Sequence, residues 1–225
     1  MIGESWFRED VAEGHIENLK IEHDAFFRAR AFFPALLSVK KWGRECYGSQ
    51  SFTVVDIGCG GGAYAMPFSS YLYDNRYAGI DPSQAMIDQA RAYHKDIPLR
   101  NVTFYVGGFA KGLRMFRRAS QALLFVCGSA EYTEYPMATM ADCLDALLPG
   151  KPFVFHKLRL DRHENPTGWR FSEPTYAGQS DQFWLWSLPM VYDLLASYDD
   201  LKFDVIRWPS DPGGCVTIGG RRNDL

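Results

Sequence analysis

The sequence lacks several things, and each absence removes a class of protein. It has no basic excess: 24 Lys and Arg stand against 27 Asp and Glu, a formal net charge of -3 over 225 residues. Nothing drives general binding to a phosphate backbone, so a nucleic-acid partner is not expected. Cysteines are few and scattered, at Cys46, Cys59, Cys127, Cys143 and Cys215, with no CxxC or Cys/His spacing. That pattern predicts reduced thiols and no metal site. No apolar run reaches the 18–20 or so residues of a membrane span. The opening MIGESWFRED lacks a basic segment followed by an apolar one, so the expected location is cytoplasmic. There is no internal repeat and no low-complexity tract.

What is present is ordinary in amount: 47% hydrophobic and 23% charged residues, with aromatics at 15%. A chain this long can bury its own core without staples. Residues 1–50 contain no clear strand. Ile16, Leu19, Phe26 and Phe27, then Leu36, Val39 and Trp42, recur near helical spacing and predict an N-terminal helical cap. From residue 51 the character changes. SFTVVDI (51–57), RYAGI (76–80), NVTFYV (101–106), QALLFVC (121–127) and KPFVFHKL (151–158) are short apolar runs, several followed by helical segments. Alternating strands and helices predict a parallel sheet covered on both faces. Residues 159–187 break the rhythm with Trp169, Phe171, Tyr176, Phe183, Trp184 and Trp186 among Gly, Pro and charges. We read this as an aromatic insert on the substrate side, with Trp6 and Phe7 as further cover. Residues 188–225 hold a final helix and two strands, LKFDVIRW and GCVTIGGRR, whose short connection makes them antiparallel neighbours. The whole chain, 1–225, is expected to be one domain.

The sharpest local signal is VVDIGCGGG (54–62), a strand ending at Asp56 and entering Gly58, Cys59, Gly60, Gly61 and Gly62. Glycines allow a tight turn and close approach of a ligand to backbone, and the following helix N-terminus would offer amides. Asp81 follows the second strand in GIDPSQAMIDQAR, at a separation suited to holding ribose hydroxyls.

These two motifs, with NVTFYVGGF, QALLFVCGSAEY, LDALLPGKPFVF and the terminal strand pair, resemble class I S-adenosylmethionine-dependent methyltransferases. The resemblance spans residues 51–158 and 188–222. The glycine count does not separate this family from dinucleotide-binding dehydrogenases; the antiparallel C-terminal pair favours the methyltransferase. The resemblance implies an α/β, Rossmann-like, seven-stranded, mostly parallel sheet with an antiparallel last strand. It implies S-adenosyl-L-methionine as cofactor and transfer of its methyl to an O or N atom of a small molecule, a sugar or secondary metabolite among them. RNA or protein methylation, and a non-catalytic binding module, stay open, and a homodimer is one expected assembly. Residue by residue, Gly58, Cys59 and Gly60 would approach the methionyl part, with Asp56 beneath, and Asp81 and Pro82 would lie at the ribose. Met86, Gly108 and Phe109 would lie near the adenine, and Cys127 would line the gap toward the acceptor. The acidic residue the family carries after its third strand is replaced here by Gly107, Gly108 and Phe109. His156, closing FVFH, and Glu131 are the leading candidates for a general base, with Tyr132, His15 and His23 behind them.

Overall fold

A computed structural model describes residues 8–14, 32–71, 75–96, 101–160, 170–174, 180–208 and 214–223. His15, His23, Trp6, Phe7, Trp169 and Tyr176 lie outside them.

Seven strands form the main sheet: β1 (Thr53–Ile57), β2 (Arg76–Asp81), β3 (Val102–Val106), β4 (Ala122–Cys127), β5 (Pro152–Arg159), β8 (Leu201–Trp208) and β9 (Cys215–Arg222), in the order β3-β2-β1-β4-β5-β9-β8. The first five pair in parallel, and β9 runs antiparallel to both β5 and β8. The last strand is therefore the antiparallel one, as the sequence predicts. The order reverses between β1 and β4, which places a crevice at their C-terminal ends.

The central strands read as continuous apolar runs because both faces are covered. In β4, Leu123 and Phe125 join one core cluster while Leu124 and Val126 join the other, and all four are buried. Helix α2 (Phe33–Tyr47) lies over β5 and β9. Its Trp42 is buried and donates from Nε1 to Asp204 Oδ1 at 2.9 Å. Residues 9–14 form a helical segment, α1, whose Val11 and Ala12 bury against Met86. The remaining helices are α3 (Ala65–Tyr71), α4 (Gln84–His94), α5 (Phe109–Arg118), α6 (Pro136–Asp145) and α7 (Leu188–Ala196). Ser83 caps α4 by accepting from Met86 N at 3.2 Å.

Two features depart from the sequence reading. Helix α5 does not follow from the sequence pattern, because Gly112 and four basic residues interrupt FAKGLRMFRR; Gly112 in fact faces Ile57, where a methyl would lie 2.6 Å away. The insert is not plain loop: β6 (Arg170–Pro174) and β7 (Ser180–Trp184) form an antiparallel hairpin. Among the described residues no helix is long and apolar enough to cross a membrane.

Candidate active site

The glycine loop leaves β1 and turns back on the ends of β2 and β4. Gly58 and Cys59 donate their amides to the single carbonyl of Ile80, at 2.7 and 3.1 Å. Gly60 donates to Asp81 Oδ2 at 2.9 Å, and Ser83 donates to Asp81 Oδ1 at 2.9 Å. One buried carboxylate thus ties the glycine loop to the start of α4. Burial raises its pKa, against the lowering by those two amides. Each oxygen keeps a second lone pair for a ligand hydroxyl. The expectation of free helix-terminal amides after the loop is replaced: a run of turns intervenes and α3 begins only at Ala65.

Gly58 is required for a reason the sequence did not disclose. Its φ of +77° is left-handed, and a methyl there would lie 2.2 Å from Ser129 Cβ. Ser129 in turn donates to Ile57 O at 2.8 Å, so the loop after β4 packs directly on the glycine loop. Gly108 is the opposite case, since a Cβ there would meet nothing within 4 Å. Open backbone therefore faces outward at the end of β3, while the half-buried Phe109 ring packs on the core.

Asp56 is buried, with Oδ2 accepting from Tyr77 OH at 2.5 Å and Oδ1 unpartnered among the described residues. Burial pushes its pKa up to about 7, opposed by the Tyr77 hydroxyl. Cys59 is buried, with its sulfur against Gly79, and Cys127 ends β4, its thiol pushed up to about 12 by burial. Met86 is core, wedged between α4 and α1, while Pro82 is exposed.

The two leading base candidates are not at the surface edge where their sequence positions put them. His156 is fully buried, because β5 continues three residues further and β9 covers it. Its ring stacks on Trp208 at 5.4 Å, and Nδ1 lies 2.7 Å from Thr217 Oγ1. Burial, helped by the nearby Lys157 charge, pulls its pKa to about 3. Glu131, in the short 3-10 turn Ala130–Tyr132, is also fully buried. Its Oε1 accepts from Arg159 N at 2.9 Å and Trp186 Nε1 at 3.1 Å, and its Oε2 has no partner among the described residues. Burial raises its pKa to about 7 despite the Arg159 and Lys157 charges. Tyr132 is half-buried beside it.

Residues 54–150 match a family model described as a methyltransferase domain. Within those residues the chain carries a methyltransferase domain. The chain superposes on magnesium protoporphyrin IX methyltransferase of Synechocystis PCC 6803, solved with S-adenosylmethionine, at a TM-score of 0.57 and 12% identity. That match covers 84% of this chain and 78% of the other. It resembles the plantazolicin methyltransferase solved with S-adenosylhomocysteine to the same TM-score of 0.57, at 15% identity over 96% and 95% of the two chains. The Burkholderia thailandensis 1,6-didemethyltoxoflavin-N1-methyltransferase gives 0.57 at 14% identity over 96% and 88%. At such identities the likeness is one of fold. A comparison with curated protein sequences finds no match.

A groove of about 370 Å³ lies beside this site, walled by Tyr135, Met137, Trp184, Trp186, Ser187 and Met190. It joins the start of α6 to the end of the insert, and Glu131 holds its Trp186 wall. Among the described residues no three His, Cys, Asp or Glu side chains gather as a metal set.

The buried carboxyl of Glu131 makes stability depend on pH. Its folded pKa, about 7, lies above the ordinary 4.5, so the fold prefers the neutral form. That preference is fully present below about pH 4 and is lost as pH rises through about 7. Glu131→Gln is neutral throughout and lacks the dependence. Between pH 4 and 8 the wild type should lose about 3 kcal/mol of unfolding free energy relative to this variant. Denaturant melts at both pH values check it; parallel pH curves would mean that the carboxyl is not desolvated.

Proposed function

We propose that this chain transfers the methyl group of S-adenosylmethionine to an oxygen or nitrogen atom of a small organic acceptor, such as a sugar or secondary metabolite. The observation that carries the reading is Asp81, buried, tied to Gly60 and Ser83, and standing between the glycine loop and the open backbone of Gly108. The cofactor supplies a methyl already activated on a sulfonium sulfur. For their part, Asp81 and Pro82 take the ribose side, and Gly58, Cys59 and Gly60 with Asp56 take the methionyl side. Gly108 and Phe109 border the adenine, while Met86, expected there from the sequence, packs against Val11 and Ala12 and supports α4 from behind. Cys127 lines the way to the acceptor.

The aromatic groove has the size and lining of a small-molecule site. The fold neighbours are named for a magnesium porphyrin, plantazolicin and 1,6-didemethyltoxoflavin, which supports an organic acceptor. Of the two base candidates, Glu131 is the better suited. Its ordinary burial shift brings it to about 7, and its free oxygen lies toward Gly128 at the end of β4. His156 instead holds β5 to β9, and its low pKa makes it a poor proton acceptor near neutrality.

Calorimetry with S-adenosylmethionine, S-adenosylhomocysteine and NAD tests the cofactor, and binding of the first two in preference to NAD is expected. Radiolabelled methyl transfer to fractionated extract then tests the acceptor. Label in the small-molecule fraction is the expected result. Label confined to RNA or protein would overturn the acceptor class, and tight NAD binding alone would overturn the reaction.

A further inference from the structure

Lys157 has a backbone that its residue type disfavours. Its φ is +56°, in the left-handed region, which a lysine occupies at a cost in conformational energy. The cause is a bulge: Phe155 pairs with Ile218 and Leu158 with Val216, so His156 and Lys157 together face Thr217. The extra residue sends His156 inward and leaves Lys157 exposed. Strain of this kind persists where surrounding structure enforces it, and it clusters at functional sites.

The location is the C-terminal end of the sheet beside β4. A Cβ built on Gly128 would lie 3.9 Å from Lys157 Cδ and 3.8 Å from Glu131 Oε2, so the lysine stem and the buried carboxyl flank the same bare glycine. Gly128 N is anchored to His156 O at 3.1 Å, which fixes that flank. The Lys157 charge acts on Cys127 and on the buried Glu131 and His156. Other lysines near the sheet are committed. Lys111 donates to Val106 O at 2.6 Å, Lys151 to Phe116 O at 3.1 Å, and Lys202 to Glu45 at 2.7 Å. Among the described residues the Lys157 ammonium makes no ion pair or hydrogen bond.

Resting on the methyl-transfer reading, we infer that Lys157 binds an anionic oxygen of the acceptor, so that the acceptor class is a carboxylate, phosphate ester or ionised phenol. The lysine stem runs beside Gly128 at the β4 end, where the acceptor must come to meet the methyl. It gives an anionic acceptor a point of attachment that the apolar groove cannot supply. A carboxylate or phosphate arrives already ionised and needs no base, a phenol gives its proton to Glu131, and in each case Lys157 stabilises the charge on oxygen.

The test uses the full chain, with and without saturating S-adenosylhomocysteine, titrated by calorimetry with benzoate and phenyl phosphate, and with benzyl alcohol as the neutral control. Wild type should bind both anions. Lys157→Met should weaken them at least tenfold and leave benzyl alcohol unchanged, and Lys157→Arg should stay within about threefold of wild type. Lys157→Gly relieves the left-handed backbone, so it should melt no lower than wild type while losing the anions. Equal anion affinity in wild type and Lys157→Met, or no anion binding to wild type, would overturn the inference. Failure of S-adenosylhomocysteine to bind would sink the methyl-transfer reading separately, since the anion titrations without it still decide the role of Lys157.

Discussion

Gly58→Ala should destabilise the protein by about 2–5 kcal/mol, the sum of a left-handed backbone forced on alanine and an overlap with a packed neighbour. The overlap is specific, because the new methyl would sit 2.2 Å from Ser129 Cβ, and Ser129 cannot retreat without giving up its bond to Ile57 O. The loop after β4 would be driven away from the glycine loop, and cofactor affinity should fall with it. Pairing the change with Ser129→Gly removes the overlap but keeps the strained φ. The double variant should therefore be less destabilised than the sum of the singles, by about 1–3 kcal/mol of coupling. Denaturant melts of the four proteins measure this directly. Strict additivity would mean that the two loops separate freely and that Gly58 is fixed by its φ alone.

Asp81→Ala removes the acceptor of two backbone amides and the proposed partner of the ribose. Gly60 N and Ser83 N would lose 2.9 Å bonds to a carboxylate, which should cost the fold about 1–3 kcal/mol. Binding of S-adenosylmethionine should weaken by a further factor of roughly 10 to 100, for hydrogen bonds to a charged group. Asp81→Asn keeps one oxygen as acceptor but turns an amide nitrogen toward the other donor, so it should fall between. Thermal melts separate the two effects, since the first acts on the free protein and the second appears only with ligand. An affinity unchanged in Asp81→Ala would reduce the residue to a turn former.

Much of this molecule is legible along the chain. The five parallel strands, the Ser83 cap and the antiparallel terminal pair follow from short apolar runs, turn residues and local hydrogen-bonding preference, all of which act within a few residues. The glycine loop and Asp81 are legible for the same reason, because each is a local break in a strand's apolar run. Helix α5 is the local failure, since its charges mask a face that Gly112 opens to Ile57.

What the chain alone does not disclose is set by contacts between distant segments. Ser129 decides why residue 58 is glycine, and it meets the glycine loop from the loop after β4, 72 residues beyond Ile57. Thr217, 61 residues from His156, decides that this histidine is buried and hydrogen-bonded rather than poised at an edge. The same pairing of β5 with β9 carries one residue too many on β5, and the extra residue turns Lys157 outward in a left-handed conformation. A strand's own sequence fixes which of its residues alternate faces. Only the neighbour that covers it decides which face loses water, and desolvation is what moves the pKa values of Asp56, Glu131 and His156 away from those of the free side chains.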